Sequence, residues 1–336
     1  MPFQDIIGHE TPITWLRNAI QSNHLAHAYL LIGEEAIGKR MTAIQFIQAM
    51  NCDTHADSPT PDACGTCRSC QQIMAHIHPD ILFIQPEEGQ GQHPQIKIER
   101  VREIEHHVIY RPLLGMKKIC MIDNADRLTI GAANALLKTL EEPPDHCLFL
   151  LVTSRPSALL TTLKSRCLTV RFAPPSQEQA IDYLMQERGF SKADARFISF
   201  LTNARLGEAL NLDLEDTKAK QHEFFSLLFE NSASISGSFE AAETLSKSGQ
   251  IPEALLWIWT GLRDILLVAT QAPTEFLFHE DHLPKLRELA QRTSPQKILG
   301  LLDTLHQLEQ GLQRNLNSQL RFEQFFLHLR EAIPPS

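Results

Sequence analysis

A glycine-rich segment early in the chain has the spacing of a phosphate-binding loop. Residues 33–40 have the sequence Gly-Glu-Glu-Ala-Ile-Gly-Lys-Arg. In the full pattern G-x-x-x-x-G-K-[ST], backbone N–H groups cradle phosphates, the lysine reaches the outer phosphates and the final hydroxyl holds Mg²⁺. Gly33, Gly38 and Lys39 are in place and are candidate phosphate-binding residues. The hydroxyl position is Arg40, a cation that cannot coordinate Mg²⁺, so the sequence predicts a nucleotide-type loop without its metal site.

A second candidate for nucleotide chemistry is Asp123, which directly follows the apolar residues 119–122. An acid after a buried strand holds Mg²⁺ in nucleotide hydrolases. In ATPases of this type a glutamate usually comes next and polarises the attacking water, whereas this chain has Asn124, and a carboxamide is no base at neutral pH. The alternative is an ordinary strand end followed by a turn. Beside the altered loop, the Asp123-Asn124 sequence indicates a second, independent loss of catalytic chemistry.

Four cysteines have the spacing of a zinc site. The chain has seven cysteines, an odd count, and no export signal, which favours reduced thiols. Three lie within seven residues and a fourth precedes them, which suits a tetrahedral structural zinc site with no open position for water. The alternative is four unligated cysteines in a polar loop, with nearby histidines as substitute ligands. The predicted ligands are Cys52, Cys64, Cys67 and Cys70, and the nearby histidines are His55, His76 and His78.

Length and composition exclude several classes of protein. The chain has 336 residues, of which 43% are hydrophobic, so it can bury more than one core. No apolar run approaches the ~18 residues of a membrane helix, and the first residues lack a secretory signal. The net charge of −9 argues against a chain that holds DNA alone, because phosphate neutralisation needs clustered Lys and Arg. We therefore expect a cytoplasmic protein with no membrane segment; a role within a DNA-facing assembly stays open.

The apolar runs predict an α/β fold in the first half of the chain. They are short and continuous, as in the strands of a parallel sheet buried on both faces, and helical patterns lie between them. The polar tract over residues 87–95 is predicted to be an exposed loop. The predicted strands span residues 28–32, 81–84, 118–122, 147–153 and 168–172.

After residue 173 the strand pattern stops and the chain is predicted to be helical. A small bundle is expected over residues 177–188, 192–201 and 206–212. Beyond 213, Ser294-Pro295 is a good helix start, with a cap followed by Pro at the first helical position. The amphipathic segments lie near residues 218–231, 237–247, 252–270, 283–291, 295–312 and 316–331.

Several motifs give the chain a family resemblance. Residues 132–144, Ala-Ala-Asn-Ala-Leu-Leu-Lys-Thr-Leu-Glu-Glu-Pro-Pro, together with Ser165-Arg166-Cys167, resemble the clamp-loader branch of the AAA+ ATPases. Similar signals are Phe3-x-x-Ile-Ile-Gly8-His9, His27-Ala-Tyr29 and Asn315-Leu-Asn317-x-x-Leu320. The resemblance implies an AAA+ P-loop NTPase-like domain over 1–172, with a zinc module at about 51–72. It further implies a helical lid over 173–212 and an all-α oligomerisation collar over 213–336. For the collar, a helical domain that packs only on itself is the alternative.

Within that branch the chain departs from the motor subunits of the gamma/tau type. These share the zinc module but keep the complete phosphate loop and an Asp-Glu pair, and their lid carries a sensor arginine where this chain has Gly207. The resemblance therefore implies a non-motor subunit that leaves ATP hydrolysis to its neighbours. Its implied partners are gamma/tau-type motor subunits and a delta subunit in a hetero-oligomeric ring, with the sliding clamp and primer-template DNA reached through the complex. A weakly active ATPase using Lys39 and Asp123, or a zinc-containing adaptor unrelated to replication, are the alternatives.

Arg166 is the catalytic residue that the resemblance implies. In the Ser165-Arg166-Cys167 motif it would act in trans as an arginine finger on a neighbour's ATP, where such residues stabilise charge on the transferring phosphoryl group. We expect it to close a helix over residues 157–164 and to precede the strand over 168–172. The alternative is a helix-end arginine that binds carbonyl groups.

Overall fold

The computed structural model describes residues 3–54, 60–89, 92–229, 234–247, 251–313 and 317–334. The chain divides into two compact units, Met1–Leu212 and Asp213–Ser336. Each unit is described by itself below. The finer division of the first unit at residue 172 stays a prediction.

The first unit is built around a parallel sheet, which confirms the predicted α/β class. Five strands are hydrogen-bonded in the order β2-β5-β6-β1-β7, and every pairing is parallel. The central strands β1, β5 and β6 are buried along their whole length. β7 is an edge strand in which only Val170 is buried, so the expected burial on both faces does not extend to it. The strands are β1 (Ala28–Ile32), β2 (Ile81–Ile84), β3 (Glu87–Gly89), β4 (Gln92–Gln95), β5 (Lys118–Ile122), β6 (Cys147–Thr153) and β7 (Leu168–Arg171).

Helices cover both faces of the sheet because successive strand residues point to opposite sides. On β1, Leu31 joins a core with Phe46 of α2, whereas Leu30 joins a second core with Leu136 of α5. The helices of this unit are α1 (Glu10–Gln21), α2 (Lys39–Met50), α3 (Arg68–Met74), α4 (Ile98–Ile109), α5 (Ile130–Glu141), α6 (Thr161–Lys164), α7 (Gln177–Arg188), α8 (Lys192–Leu201) and α9 (Leu206–Ala209).

The polar tract over residues 87–95 corrects one expectation, because it forms a hairpin and not a loop. β3 and β4 pair antiparallel, with Glu87 opposite Gln95 and Gly89 opposite Gln92. Residues 90 and 91 lie outside the described part of the chain. The ladder is made from backbone groups, and its side chains carry no alternating apolar pattern that would have predicted strands.

The second unit is helical, as the amphipathic segments predict. Its helices are α10 (Leu214–Phe229), α11 (Ile235–Lys247), α12 (Ile251–Ala269), α13 (Leu283–Gln291), α14 (Pro295–Gln313) and α15 (Ser318–Ala332). α14 begins at Pro295, as predicted. The Asn317 side chain caps α15 by accepting a hydrogen bond from the Leu320 N–H at 3.0 Å, whereas Asn315 of the same motif lies outside the described residues. None of the helices in the described ranges combines the length and the hydropathy of a membrane-spanning segment.

Candidate functional site

The phosphate loop connects β1 to α2, and a buried histidine braces it. Gly38 caps α2 with a left-handed φ of 106°. His9 is 1% exposed, and its Nε2 donates a hydrogen bond to the Ile37 carbonyl at 2.6 Å. Its ring packs edge-on against Phe172, with 5.0 Å between ring centroids. Burial lowers the pKa of His9, which favours the neutral ring. Sequence reasoning noted this histidine only as part of a family motif and gave it no role.

Lys39 binds the loop that carries it. Its Nζ donates one hydrogen bond to the Gly33 carbonyl at 2.8 Å and another to the Glu34 carbonyl. The residue is 6% exposed. Burial lowers its pKa, while the nearby carboxylates of Asp123 and Glu35 act in the opposite direction. An ammonium has three N–H donors, so two of them are spent on the loop's own backbone. The predicted residues Gly33 and Lys39 thus lie together, but they bind each other, whereas the sequence pattern predicts that both bind a phosphate.

An ion pair occupies the place where a working phosphate loop would hold Mg²⁺. Arg40 Nε lies 3.4 Å from Asp123 Oδ2, and Asp123 Oδ1 accepts a hydrogen bond from the Asn124 N–H at 3.0 Å. Burial raises the pKa of Asp123, and the Arg40 cation partly offsets that rise. In a working loop, a hydroxyl and an acid share Mg²⁺ in this region. Here a guanidinium takes the place of both the hydroxyl and the metal charge.

Gly207 packs directly on the phosphate loop. Its N–H donates a hydrogen bond to the Ala36 carbonyl at 2.8 Å. A Cβ at position 207 would lie 2.7 Å from that carbonyl oxygen, closer than real Cβ contacts allow. The backbone therefore leaves no room for a side chain at position 207, where the family resemblance predicts a sensor arginine in motor subunits. Beside this contact lies a cavity of about 680 Å³, whose apolar lining includes Ile6, Ile37, Met41, Val152, Tyr183 and Leu206.

Thr153 and Asp126 are two further polar residues at this edge of the sheet that sequence reasoning missed. The Thr153 hydroxyl ends β6 and donates a hydrogen bond to Asp126 Oδ1 at 2.7 Å. The same hydroxyl oxygen accepts from the Arg155 N–H at 3.0 Å. The sequence signal that could have identified this site is Thr153, a polar residue at the end of an otherwise apolar strand.

The four predicted zinc ligands come together. The Sγ atoms of Cys52, Cys64, Cys67 and Cys70 all lie within 4.8 Å of one another. Zn–S bonds of ~2.3 Å in a tetrahedron place sulfur atoms about 3.8 Å apart, so the cluster has the size to hold such an ion. Four thiols leave no position for a catalytic water.

Hydrogen bonds to sulfur favour the thiolate form at one of the four cysteines, Cys64. Cys64 Sγ accepts from the N–H groups of Cys67 at 3.2 Å and Thr66 at 3.4 Å. Burial would raise the pKa of Cys64, but hydrogen bonds from Thr54, Thr66 and Cys67 lower it to about 5. At Cys67 and Cys70 burial prevails and raises the pKa. The cluster among the described residues consists of cysteines alone. Of the three histidines considered as substitute ligands, His55 lies outside the described residues. His76 stacks on Phe83 with ring centroids 4.0 Å apart, and His78 Nδ1 accepts a hydrogen bond from the Asp80 N–H at 3.2 Å.

The cysteine segment is also tied to the beginning of the chain. Asp62 Oδ1 accepts a hydrogen bond from the Phe3 N–H at 2.8 Å, and Asp62 Oδ2 accepts from the Arg17 guanidinium at 2.7 Å. That guanidinium lies over the Phe3 ring, 5.1 Å from its centroid. A metal in the cluster would therefore stabilise the contacts of α1 and the first residues as well as its own segment.

Arg166 lies on the surface in the turn between α6 and β7. Its Nη2 donates a hydrogen bond to Glu141 Oε1 at 2.5 Å, and its Nη1 donates one to the Thr162 carbonyl at 3.0 Å. Its side chain is 33% exposed. The helix before it begins only at Thr161, not at residue 157, because a turn with a hydrogen bond from Ala158 N–H to the Arg155 carbonyl precedes it. The Thr162 contact is the kind that a helix-end arginine makes, and the role of Arg166 in trans stays a prediction.

Two family models match the chain. The one described as DNA polymerase III, delta subunit, matches residues 8–176, and the one described as DNA polymerase III, delta subunit, C terminal, matches residues 215–331. The delta' subunit of Escherichia coli is 32% identical over 81% of this chain and 80% of its own length. The delta' subunit of Bacillus subtilis is 29% identical over 94% of each. The tau subunit of Bacillus subtilis is 28% identical over 96% of this chain, which spans only 60% of that relative's length.

Proposed function

This chain belongs to the DNA polymerase III delta-prime family of clamp-loader subunits, and we propose that it acts in a clamp loader without hydrolysing ATP itself. In this proposal it joins gamma/tau-type motor subunits and a delta subunit in a ring that loads the sliding clamp on primer-template DNA. Arg166 then acts on the ATP of a neighbouring subunit. The observation that carries the proposal is the phosphate loop, whose polar groups bind one another.

Three separate contacts support the loss of ATP chemistry. Lys39 spends two donors on loop carbonyls, Arg40 pairs with the acid that would hold Mg²⁺, and Gly207 packs where a sensor arginine would need space. Each contact removes a different contribution, namely phosphate binding, metal binding and charge sensing. A nucleotide would have to break all three to be bound as in a motor subunit.

The test is ATP turnover by the purified chain and by Lys39→Ala. We expect neither protein to approach ~1 s⁻¹, a typical enzyme value, and we expect the two to be indistinguishable. The alternative is a weakly active ATPase, which the similarity to tau subunits and the retained Lys39 and Asp123 favour. Turnover by the wild type that disappears in Lys39→Ala would establish that alternative in place of ours.

Arg166 is proposed as the finger because its side chain reaches the surface, where it is partly exposed, while the polar groups of the chain's own nucleotide loop bind one another. A planar fork of N–H donors suits a γ-phosphate, and the lysine ammonium, a point charge on a flexible stem, reproduces it poorly. In the reconstituted complex, Arg166→Ala and Arg166→Lys should both lower DNA-stimulated ATPase and clamp loading. The loss should be partial, because only the one site that borders this subunit is affected.

The matched control is Arg171→Ala, which removes an exposed arginine of β7 five positions further on. It should leave both activities unchanged. All variants should assemble like the wild type in size-exclusion chromatography. Normal activity of both Arg166 variants in assembled complexes would make Arg166 a structural helix-end arginine.

We further propose that the four-cysteine cluster holds one structural zinc ion. The fit of the sulfur spacing and the closed donor set support zinc in a role without catalysis. Elemental analysis should find one zinc per chain in protein prepared without chelators, and none in Cys67→Ala. Cys167→Ala, which changes a cysteine outside the cluster, should keep the zinc. Zinc-free wild-type protein would contradict the assignment.

For residues 213–336 we propose an oligomerisation collar. The separate helical unit that begins at Asp213, together with the C-terminal family model, supports this assignment. A chain that ends at Leu212 should keep its secondary structure by circular dichroism and fail to join the complex in size-exclusion chromatography. Assembly equal to that of the full chain would contradict the proposal.

A further inference from the structure

The guanidinium of Arg166 is held from two sides by its own chain. Nη2 donates a hydrogen bond to Glu141 Oε1 at 2.5 Å, and Nη1 donates one to the Thr162 carbonyl at 3.0 Å. A guanidinium has five N–H donors. Within the part of the chain that the structure describes, these bonds use two of the five, so three are left for another acceptor. The side chain is therefore oriented and still able to bind a phosphate.

Both holding groups lie on regular elements. Glu141 is the last residue of α5, whose first turn is capped by Thr129 Oγ1 accepting from the Ala132 N–H at 3.2 Å. The inner face of α5 is anchored by Leu136 and Leu140, which are 0% and 2% exposed. Thr162 belongs to α6, one helical turn before Arg166. The guanidinium is thus tied between two helices that pack in the same core.

The pair does too little for stability to explain its geometry. The Glu141 side chain is 50% exposed and that of Arg166 is 33% exposed, and ion pairs at such positions contribute little to folding. What the pair does fix is the direction of a long, flexible side chain. Ordering that side chain before a ligand arrives removes part of the entropy cost of binding or catalysis.

We propose that Glu141 is a positioning residue, which orients the Arg166 guanidinium toward the phosphate of a neighbouring subunit. This inference rests on the proposed function of Arg166. The structure gives a bond between one carboxylate oxygen and one guanidinium nitrogen, whereas a carboxylate that sequestered the arginine would engage it through two parallel bonds. The carboxylate therefore restrains the guanidinium and leaves most of its donors to the phosphate.

The experiment measures DNA-stimulated ATPase in the reconstituted complex with Glu141→Ala, Glu141→Gln, Arg166→Ala and the double variant. Glu141→Ala should lower kcat about two- to fivefold, the range expected for one surface ion pair, and by less than Arg166→Ala. The KM for ATP should not change, because the oriented guanidinium acts on charge that develops in the transition state. Glu141→Gln should recover much of the loss, since its amide oxygen can accept the same hydrogen bond. The double variant should be no slower than Arg166→Ala alone.

Glu142→Ala is the matched control, because Glu142 is the next residue and is also exposed. It should behave like the wild type, and every variant should keep the wild-type melting temperature and assembly. If Arg166→Ala loses activity while Glu141→Ala keeps or exceeds the wild-type kcat, the positioning role is wrong and the proposed function stands. The positioning role would also be wrong if Glu141→Ala lowered kcat further in a complex that already carries Arg166→Ala. If Arg166→Ala itself has no effect, the proposed function fails, and the inference with it.

Discussion

Two aspartates at opposite ends of neighbouring strands, Asp80 fully buried and Asp123 partly buried, differ in how their charge is satisfied. Asp80 directly precedes β2, and Asp123 directly follows β5, the parallel partner of β2. Asp80 accepts hydrogen bonds from the N–H groups of Leu113, Leu114 and Gly115 at 2.8, 2.7 and 2.8 Å. Its fourth donor is Lys118 Nζ at 2.9 Å. Asp123 accepts from one backbone N–H and faces Arg40 at 3.4 Å.

The pKa values of the two carboxyls move in opposite directions as a result. Burial would raise the pKa of Asp80, but the bonds from Gly115, Lys118, Leu113 and Leu114 hold it far below its usual value. For Asp123, burial prevails and raises the pKa, because its donors are few. At the N-terminal end of the sheet, the ionised carboxylate of Asp80 is therefore fully satisfied and stabilises the fold. At the carboxyl end, Asp123 has only one backbone hydrogen bond and the Arg40 ion pair to satisfy its charge.

The largest effect on the free energy of unfolding should come from removing the Asp80 carboxylate, and removing the Asp123 carboxylate should have a much smaller one. Asp80→Ala leaves the buried Lys118 ammonium and three backbone N–H groups without their acceptor, so we expect a loss of ~3–5 kcal/mol in the free energy of unfolding. Asp123→Ala removes a weak pair with a half-exposed arginine and should cost no more than ~1 kcal/mol. Urea denaturation at neutral pH measures both. Equal losses would contradict the contrast between the two ends.

A smaller effect should follow from a methyl group at the carboxyl end. Gly207→Ala places a Cβ 2.7 Å from the Ala36 carbonyl oxygen, so the phosphate loop or α9 must shift. Such overpacking costs ~1–3 kcal/mol, and the gain in helix propensity offsets up to about 1 kcal/mol of that cost.

The control is Gly131→Ala in the first turn of α5, where a Cβ would meet no heavy atom within 4 Å apart from its chain neighbours and the backbone of its own helix. That variant should be neutral or slightly more stable in the same denaturation experiment. A stabilised Gly207→Ala protein would show that α9 does not rest on the loop as closely as described.

The sheet and the motif residues could be predicted from the sequence because their signals are local. Four of the five strands have the predicted ends, since each is a continuous apolar run, and the four cysteines are close in sequence as well as in space. The contacts that close the nucleotide loop could not be predicted. The bond from Gly207 to Ala36 joins residues far apart in the chain, and no pattern indicates that Lys39 binds carbonyls rather than a phosphate. The contact of Arg166 with Glu141 is equally non-local.

The pH dependence of stability should separate the two aspartates further. The folded pKa of Asp80 lies below its unfolded value of about 3.8, so its contribution is fully present above that pH and is lost as the pH falls below it. Each unit of lowering corresponds to ~1.4 kcal/mol. Asp123 has the opposite sign, because its folded pKa is raised: its contribution is present below about pH 3.8 and is lost as the pH rises through the raised value.

Denaturation at a series of pH values should therefore give a wild-type stability that falls in acid. That fall should be shallower in Asp80→Ala, and it should persist in Asp123→Ala. If the free energy of unfolding of Asp80→Ala fell in acid as steeply as that of the wild type, other carboxylates would be responsible for the acid sensitivity.

The smallest effect is expected for Arg40→Ser, which restores the last residue of the phosphate-loop motif. The Arg40 side chain is 47% exposed and its bond to Asp123 is long, so its loss should change the free energy of unfolding by less than ~1 kcal/mol. The hydroxyl supplies a Mg²⁺ ligand, but Lys39 still binds the loop carbonyls and Gly207 still packs on Ala36. The carboxamide of Asn124 also cannot act as a general base. ATP turnover by Arg40→Ser should therefore stay at the wild-type background. If this single change produced a Mg²⁺-dependent ATPase, the remaining contacts would be compatible with nucleotide, and Arg40 alone would keep the loop inactive.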